Sequence, residues 1–259
     1  MIISQMISAH IFSPNRKFIE IAQKKCQIVK VFFEEQTISV DLHDYLEFNR
    51  LNWHAIKKLP IDEEYEIFAG ADLGLCFGFG QIFSAEQIDQ FRYGIWNIHP
   101  GELPKYRGRH PIAHAFLNGD AEITVTVHQI DKNIDQGTLI STGLIRREFR
   151  DTEEQIVSKI IELLDTTLLE TSIRTFFSSS LEPIGSGNYL KSFYQGMQFD
   201  NPILVSREII YNAALSQKSH GGLTIGGKKF QHVHYYSALC SYPNNSTIIE
   251  CNDGFIVAH

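Results

Sequence analysis

The densest run of chemically capable side chains is Asn97-Ile98-His99-Pro100-Gly101-Glu102-Leu103-Pro104-Lys105-Tyr106-Arg107-Gly108. It sets an amide two residues from an imidazole. Side chains at i and i+2 of an extended chain share a face, so a strand running through His99 presents both groups at one spot. Further on, Asp131-Lys132-Asn133-Ile134-Asp135-Gln136-Gly137 brings two carboxylates. An amide, an imidazole and a carboxylate suit acyl transfer. Asn and a protonated His stabilise an oxyanion, His relays a proton, and Asp orients the His and biases its charge. Each residue also has a plain structural reading. Asn97 could cap a turn, His99 could be a satisfied interior histidine, and Asp135 could initiate the turn at Gly137. Spacing alone leaves the choice open.

The elements that must carry these residues follow from hydrophobic periodicity. Phe18–Lys25 reads as helix, Ile28–Phe33 as a buried strand, and Ala71–Cys76 as a strand ending in the turn Gly78-Phe79-Gly80. Ser84–Phe91 reads as a short helix with Ser84 as its N-cap, Gly94–Asn97 as a strand, His110–Leu117 as a helix and Ile123–Gln129 as a strand. Ile156, Ile160, Leu163, Leu164 and Leu168 recur at helical spacing, which predicts one long helix over Thr152–Phe177. Strands separated by helices imply an α/β fold, an open, mainly parallel Rossmann-like sheet. In such sheets active sites form at the carboxyl ends of strands, where both polar loops fall.

Composition shifts near residue 180. Ser178–Gly187 (SSSLEPIGSG) reads as a linker, placing one domain over residues 1–180 and a small, mostly β domain over 186–259. In the latter, Tyr189–Phe199 is aromatic and polar, Ser206–Ser216 reads as helix, and Leu223–Tyr236 and Thr247–Val257 read as strands.

Composition narrows the function. Hydrophobic residues at 43% and charged residues at 20% suit a globular protein with a full core. Lys and Arg total 23 against 30 Asp and Glu, so the net charge of −7 argues against nucleic acid as the main partner. Cys26, Cys76, Cys240 and Cys251 form no CxxC pair, which excludes a thiolate zinc knuckle and gives no disulfide framework; a reducing cytoplasm is expected. Apolar runs such as Val31–Phe33 and Leu73–Phe79 fall far short of the ~20 residues that span a bilayer, and the opening residues carry no signal-peptide pattern, so no membrane partner is expected. His110 and His114, four apart, lack the Glu of a metalloprotease motif, and Pro111 instead suits a helix start, so no metal is expected there. His232 and His234 read as a solvated strand face. Gly221-Gly222 and Gly226-Gly227 read as hairpin turns, with no phosphate-loop spacing.

The run NIHPGELPKYRG, with HPI and LNGD after it and then TVH and IDQG, resembles the folate-dependent formyltransferase family. Upstream, Asp72–Phe83 resembles the strand and loop with which that family receives folate. The resemblance covers roughly residues 65–145, with the Asn–His pair and the distant Asp in register. It implies Asn97, His99 and Asp135 as the catalytic trio and 10-formyltetrahydrofolate as co-substrate, without a metal. It implies Phe79, Gly80, Gln81, Ile82, Phe83, Asp131, Lys132 and Asn133 as its holders, and Lys105, Tyr106, Arg107 and Gly108 as substrate contacts. In the implied mechanism, Asn97 and cationic His99 stabilise the oxygen that turns negative as an amine attacks, and Asp135 supports that charge.

Three subfamilies compete for the amine. Glycinamide ribonucleotide enzymes open with a Gly-rich phosphate loop, whereas Ile2–Arg16 contains no glycine. Methionyl-tRNA enzymes carry a larger basic C-terminal domain, and an acidic chain is badly placed for tRNA. Nucleotide-sugar N-formyltransferases resemble this chain in size and in Asp200-Asn201-Pro202, Ile209-Ile210-Tyr211 and His220–Lys228. This resemblance implies a nucleotide-linked (dTDP-type) amino-deoxysugar substrate from bacterial surface polysaccharide (O-antigen) synthesis and a homodimer drawing on residues 186–259. Tyr189, Phe193, Tyr194 and Phe199 could form a base-stacking platform or a hydrophobic seam. From another class, a formyltetrahydrofolate hydrolase would share the core but add a regulatory domain in front.

Overall fold

The computed structural model describes residues 6–60, 62–193, 196–217, 222–235 and 245–259. Tyr194, His220, Gly221, Tyr236 and Cys240 lie outside these residues, as do the first five positions.

Apolar strands alternate with capped helices along the first part of the chain. Strand β1 (Ile7–Phe12) leads to α1 (Arg16–Lys25), where the Asn15 side chain accepts from the Phe18 N–H (3.1 Å) and Lys24 and Lys25 sit favourably at the carboxyl end. Then come β2 (Cys26–Glu34), α2 (Val40–Phe48), β3 (Trp53–Ile56), β4 (Leu73–Cys76), α3 (Ala85–Ile88), β5 (Ile95–His99) and the two-residue β6 (Arg107–Gly108). Helix α4 (Pro111–Leu117), β7 (Glu122–Gln129), β8 (Thr138–Arg146), α5 (Glu153–Leu163) and α6 (Leu169–Ser178) follow. The last part holds β9 (Tyr189–Leu190), β10 (Met197–Phe199), α7 (Arg207–Ser216), β11 (Leu223–Ile225), β12 (Lys228–Phe230), β13 (Val233–His234), β14 (Thr247–Cys251) and β15 (Gly254–Ala258).

Seven strands form one sheet in the order β3-β2-β1-β4-β5-β7-β8. Pairings β3–β2, β2–β1, β1–β4 and β4–β5 are parallel and β5–β7 is antiparallel, so the α/β sheet is mostly parallel, as expected. Register aligns Phe12 with Cys76, Cys76 with Asn97, and Asn97 with His128. Residues in register point to the same side of a sheet, so these four make one row near the carboxyl ends of β1, β4 and β5.

The chain divides into two compact units. The first, residues 1–107, 124–143 and 160–188, holds most of this sheet. Phe12, Phe32, Phe68, Phe83 and Phe91 form one of its buried clusters. The second, residues 108–123, 144–159 and 189–259, packs α4 against α7 and holds two three-stranded sheets, β10-β11-β12 and β13-β15-β14. Its core includes Ile210, Leu223, Ile225, Ile249 and Ile256. Among the described residues no helix is long and apolar enough to cross a membrane.

Several local expectations need correction. The helix after Ser84 is only Ala85–Ile88; Ser84 and Gln87 form a capping box, but the chain then turns to bury Phe91. The segment expected as one regular helix over Thr152–Phe177 contains a π turn at Leu164–Leu168. Leu164, Leu168 and Leu169 are all buried around it, a spacing that a wider turn serves. The expected Gly226-Gly227 hairpin, by contrast, is present: the two glycines (φ 54° and 78°) turn β11 into β12, and β13 follows. His234 is not simply solvated: its ring stacks on that of His259 (5.0 Å). The linker-like run is tied down, since the Leu139 N–H donates to Glu182 O (2.9 Å) and the Ile184 N–H to Gly137 O (2.8 Å).

Candidate active site

Strand β5 continues through His99, so Asn97 and His99 share a face, as the two-residue spacing predicts. After His99 the chain reverses at once. The Gly101 N–H donates to His99 O (2.9 Å), Thr126 Oγ1 donates to Gly101 O (2.7 Å), and the Tyr106 N–H donates to Glu102 O (2.8 Å). This fold-back puts the Tyr106 carbonyl 2.8 Å from His99 Nε2. A carbonyl only accepts, so Nε2 carries the hydrogen and the neutral ring keeps its lone pair on Nδ1.

That Nδ1 faces Asp135 Oδ1 at 3.7 Å. The loop bearing Asp135 folds back over β7, which requires glycine at position 137: a Cβ there would lie 1.8 Å from the Gln129 carbonyl oxygen. Asp135 itself takes a left-handed φ of 53°. The same Oδ1 is 3.6 Å from His128 Nε2, so one carboxylate lies beside two imidazoles. His128 also has Nε2 3.3 Å from Asn97 Nδ2, while its Nδ1 is 3.0 Å from the Gln129 carbonyl. The carbonyl again fixes a tautomer: Nδ1 donates, and Nε2 accepts from the Asn97 amide. Asn97, His99, His128 and Asp135 form one connected group.

Burial controls the electrostatics. The side chains of His99, His128 and Asp135 are 5%, 1% and 9% exposed. Desolvation pulls the His99 pKa below its ordinary value; the Asp135 charge and the Tyr106 carbonyl oppose this, and His128 adds to it. His99 thus rests neutral beside a carboxylate that favours its protonation. Cys76, next to Asn97 in the row, is no rival nucleophile, because burial pushes its thiol up to about 12.

The structure brings the trio expected from sequence together and adds His128. That residue stood in the TVH motif without a role. Its only signal was period-two alternation along β7, which cannot say which neighbouring strand it meets.

The expected co-substrate loop, Phe79 to Phe83, follows β4. Phe83 is buried, its ring 4.8 Å from Phe12 and 5.7 Å from Phe79, and Ile82 is exposed. The loop is tethered: the Gly80 N–H donates to Glu34 Oε2 (3.2 Å), and Gln81 Oε1 accepts from the Leu59 N–H (2.5 Å). Among the other expected holders, Asp131 accepts from the Asn133 N–H (2.7 Å), and Lys132 and Asn133 are exposed. An aromatic wall beside a loop of backbone amides fits a flat heterocycle with several hydrogen-bonding edges.

The expected substrate contacts differ among themselves. Lys105 is exposed, with Nζ 4.6 Å from the Tyr106 ring centre, and Tyr106 is buried. Arg107 is also buried and is spent on backbone carbonyls. Gly108, in the second unit, packs on the Leu190 carbonyl. In that unit His110 Nδ1 accepts from the Phe193 N–H (2.8 Å) and His114 Nε2 lies 2.8 Å from Lys191 O, so both imidazoles serve the backbone.

The formyl transferase family model matches residues 20–171. A methionyl-tRNA formyltransferase of Borrelia garinii subsp. bavariensis is 39% identical over 98 residues, which are 38% of this chain and 31% of that protein; the chain therefore matches about a third of that relative's length. Among solved structures, WlaRD, a sugar 3N-formyl transferase crystallised in the presence of dTDP and 5-N-formyl-THF, superposes with a TM-score of 0.69 at 21% identity, covering 98% of this chain and 97% of that one. An N-formyltransferase from Helicobacter canadensis, in complex with folinic acid and dTDP-3-aminofucose, gives 0.67 at 18% identity and covers 98% of both chains.

Proposed function

We propose that this chain, which belongs to the formyl transferase family, transfers a formyl group from 10-formyltetrahydrofolate to the primary amine of a nucleotide-linked amino-deoxysugar. The observation that carries the transfer chemistry is the buried Asp135 carboxylate 3.7 Å from His99 Nδ1, on a face that also holds Asn97 and His128. The co-substrate supplies an activated formyl carbon. Asn97 donates its amide N–H to the formyl oxygen as that oxygen gains negative charge. His99 accepts the amine proton at Nδ1 while Nε2–H stays on Tyr106 O, and Asp135 stabilises the imidazolium that results. As the bond from the formyl carbon to the folate nitrogen breaks, His99 returns that proton to the departing nitrogen, which releases tetrahydrofolate and the formylated amine. His128 holds the Asn97 amide in direction. Phe79 to Phe83 and Asp131 to Asn133 receive the pterin.

Similarity over nearly the whole length to two sugar N-formyltransferases supports the sugar substrate, as does the net charge of −7. In this reading residues 1–180 are the catalytic domain, residues 186–259 contribute a homodimer interface, and the enzyme serves surface polysaccharide (O-antigen) synthesis from the cytoplasm. The identity of 39% with a methionyl-tRNA enzyme supports a second reading, formylation of charged tRNA. A panel of dTDP- and UDP-linked amino sugars, assayed with 10-formyltetrahydrofolate at physiological salt, decides between them. Formyl transfer to a nucleotide sugar is expected. Efficient formylation of methionyl-tRNA, with a rate falling steeply as salt rises, would overturn the sugar assignment. Release of formate without any acceptor would make the protein a hydrolase.

A further inference from the structure

Arg107 lies in the segment that turns back over His99 and is only 9% exposed. Its Nε and Nη2 both donate to the Ile134 carbonyl oxygen (3.0 and 2.8 Å), and Nη1 donates to the carbonyl of Gly187. Two donors of one planar fork on a single oxygen fix the peptide plane in direction as well as position. That carbonyl belongs to the peptide joining Ile134 to Asp135. Asp135 sits at a φ of 53°, a left-handed conformation uncommon for a residue with a Cβ. Ile134 is 38% exposed, so packing holds this peptide only in part. The guanidinium supplies the missing anchor. Its other end holds the segment that pairs with Gly137 and Leu139 on the far side of the same loop.

We infer that Arg107 is a positioning residue for the transfer: it grips the Ile134 carbonyl and so aims the Asp135 carboxylate between His99 and His128, instead of reaching for substrate. The inference rests on the proposed formyl transfer for its kinetic readout and on the His99–Asp135 geometry for a second readout that needs no turnover.

The test compares full-length Arg107→Ala, Arg107→Lys and Asp135→Asn with the parent protein. Kinetics with the best acceptor are measured beside the NMR titration of the His99 ring without substrates. Arg107→Ala is expected to lower kcat about 100-fold, the scale of a catalytic group misplaced by an ångström. Each KM should move less than about threefold, because ground-state binding is not what the residue serves. The His99 titration should move further below its ordinary range, since the opposing Asp135 charge is withdrawn. Arg107→Lys should recover only part of the activity, because an ammonium cannot fork onto one carbonyl. Millimolar guanidinium should partly restore Arg107→Ala and leave Asp135→Asn unchanged. A raised KM for the amine with unchanged kcat would make Arg107 a substrate contact and overturn the inference. So would an unaltered His99 titration in a folded variant, and if Arg107→Ala does not fold, Arg107→Lys carries the same two readouts. A parent protein that transfers formyl to nothing would defeat the functional reading alone, because the titration still reports on Arg107.

Discussion

Two buried imidazoles on central strands of one sheet have opposite surroundings. His10 on β1 is fully buried between the rings of Phe32 (5.2 Å) and Phe91 (5.8 Å), and neither ring nitrogen finds a hydrogen-bond partner among the described residues. Desolvation lowers its pKa to about 4; the backbone of Phe68 and Ala69 partly opposes this, and the Lys30 charge adds to it. His99 on β5 is almost as buried, but a carboxylate faces one nitrogen and a carbonyl fixes the other. Burial alone makes a neutral, inert ring. Burial with one opposing charge makes a ring that can change charge during a reaction without leaving its place.

The largest effects should come from breaking the second environment. His99→Ala and Asn97→Ala are each expected to lower kcat by roughly two to four orders of magnitude, the scale of a lost acid–base group or oxyanion donor. Single-turnover rates check this, and near-parental turnover in either folded variant would remove the site from the reaction. Asp135→Asn moves His99 toward the condition of His10. A loss of about 100-fold is expected, with the pH dependence of kcat displaced to lower pH because the charge that raises the His99 pKa is gone. An unmoved pH profile would show that Asp135 does not act through His99.

The aromatic cluster around Phe12 comes next. Phe83→Ala empties a site against Phe12 and Phe79 and should cost about 3 kcal/mol of stability, read from urea midpoints. It should also weaken co-substrate binding by loosening the Phe79 to Phe83 loop. The smallest effect tests His10 itself. Its folded pKa is about 4 against an ordinary histidine value of 6.5, so well above pH 6.5 neither state is protonated and there is no penalty. Below that, the unfolded chain takes the proton first, and stability falls until the folded state protonates near pH 4. The whole interval is worth about 3 kcal/mol. His10→Leu should therefore lose about 2 kcal/mol less stability than the parent between pH 7 and pH 4.5. Equal losses would mean that His10 is protonated inside the fold at little cost.

Much of this arrangement was readable from local pattern. The alternation of apolar strands with helices, the Ser84 cap, the Gly226-Gly227 turn and the shared face of Asn97 and His99 depend on neighbours a few residues apart. Such contacts are set by backbone geometry and side-chain type, which a sequence displays directly. His128, Arg107 and the tied-down 182–187 segment were not readable in this way. His128 matters because β7 runs antiparallel to β5 in the one register that sets it beside Asn97, and a slip of one residue would turn it to the other face. Arg107 was expected only as a substrate contact, and the turn after His99 buries it against carbonyls 27 and 80 positions away. Residue types and short spacings thus offered a chemistry, and the family resemblance selected it. Strand register and chain reversal chose its partners, because those contacts exist only once distant segments share one buried space.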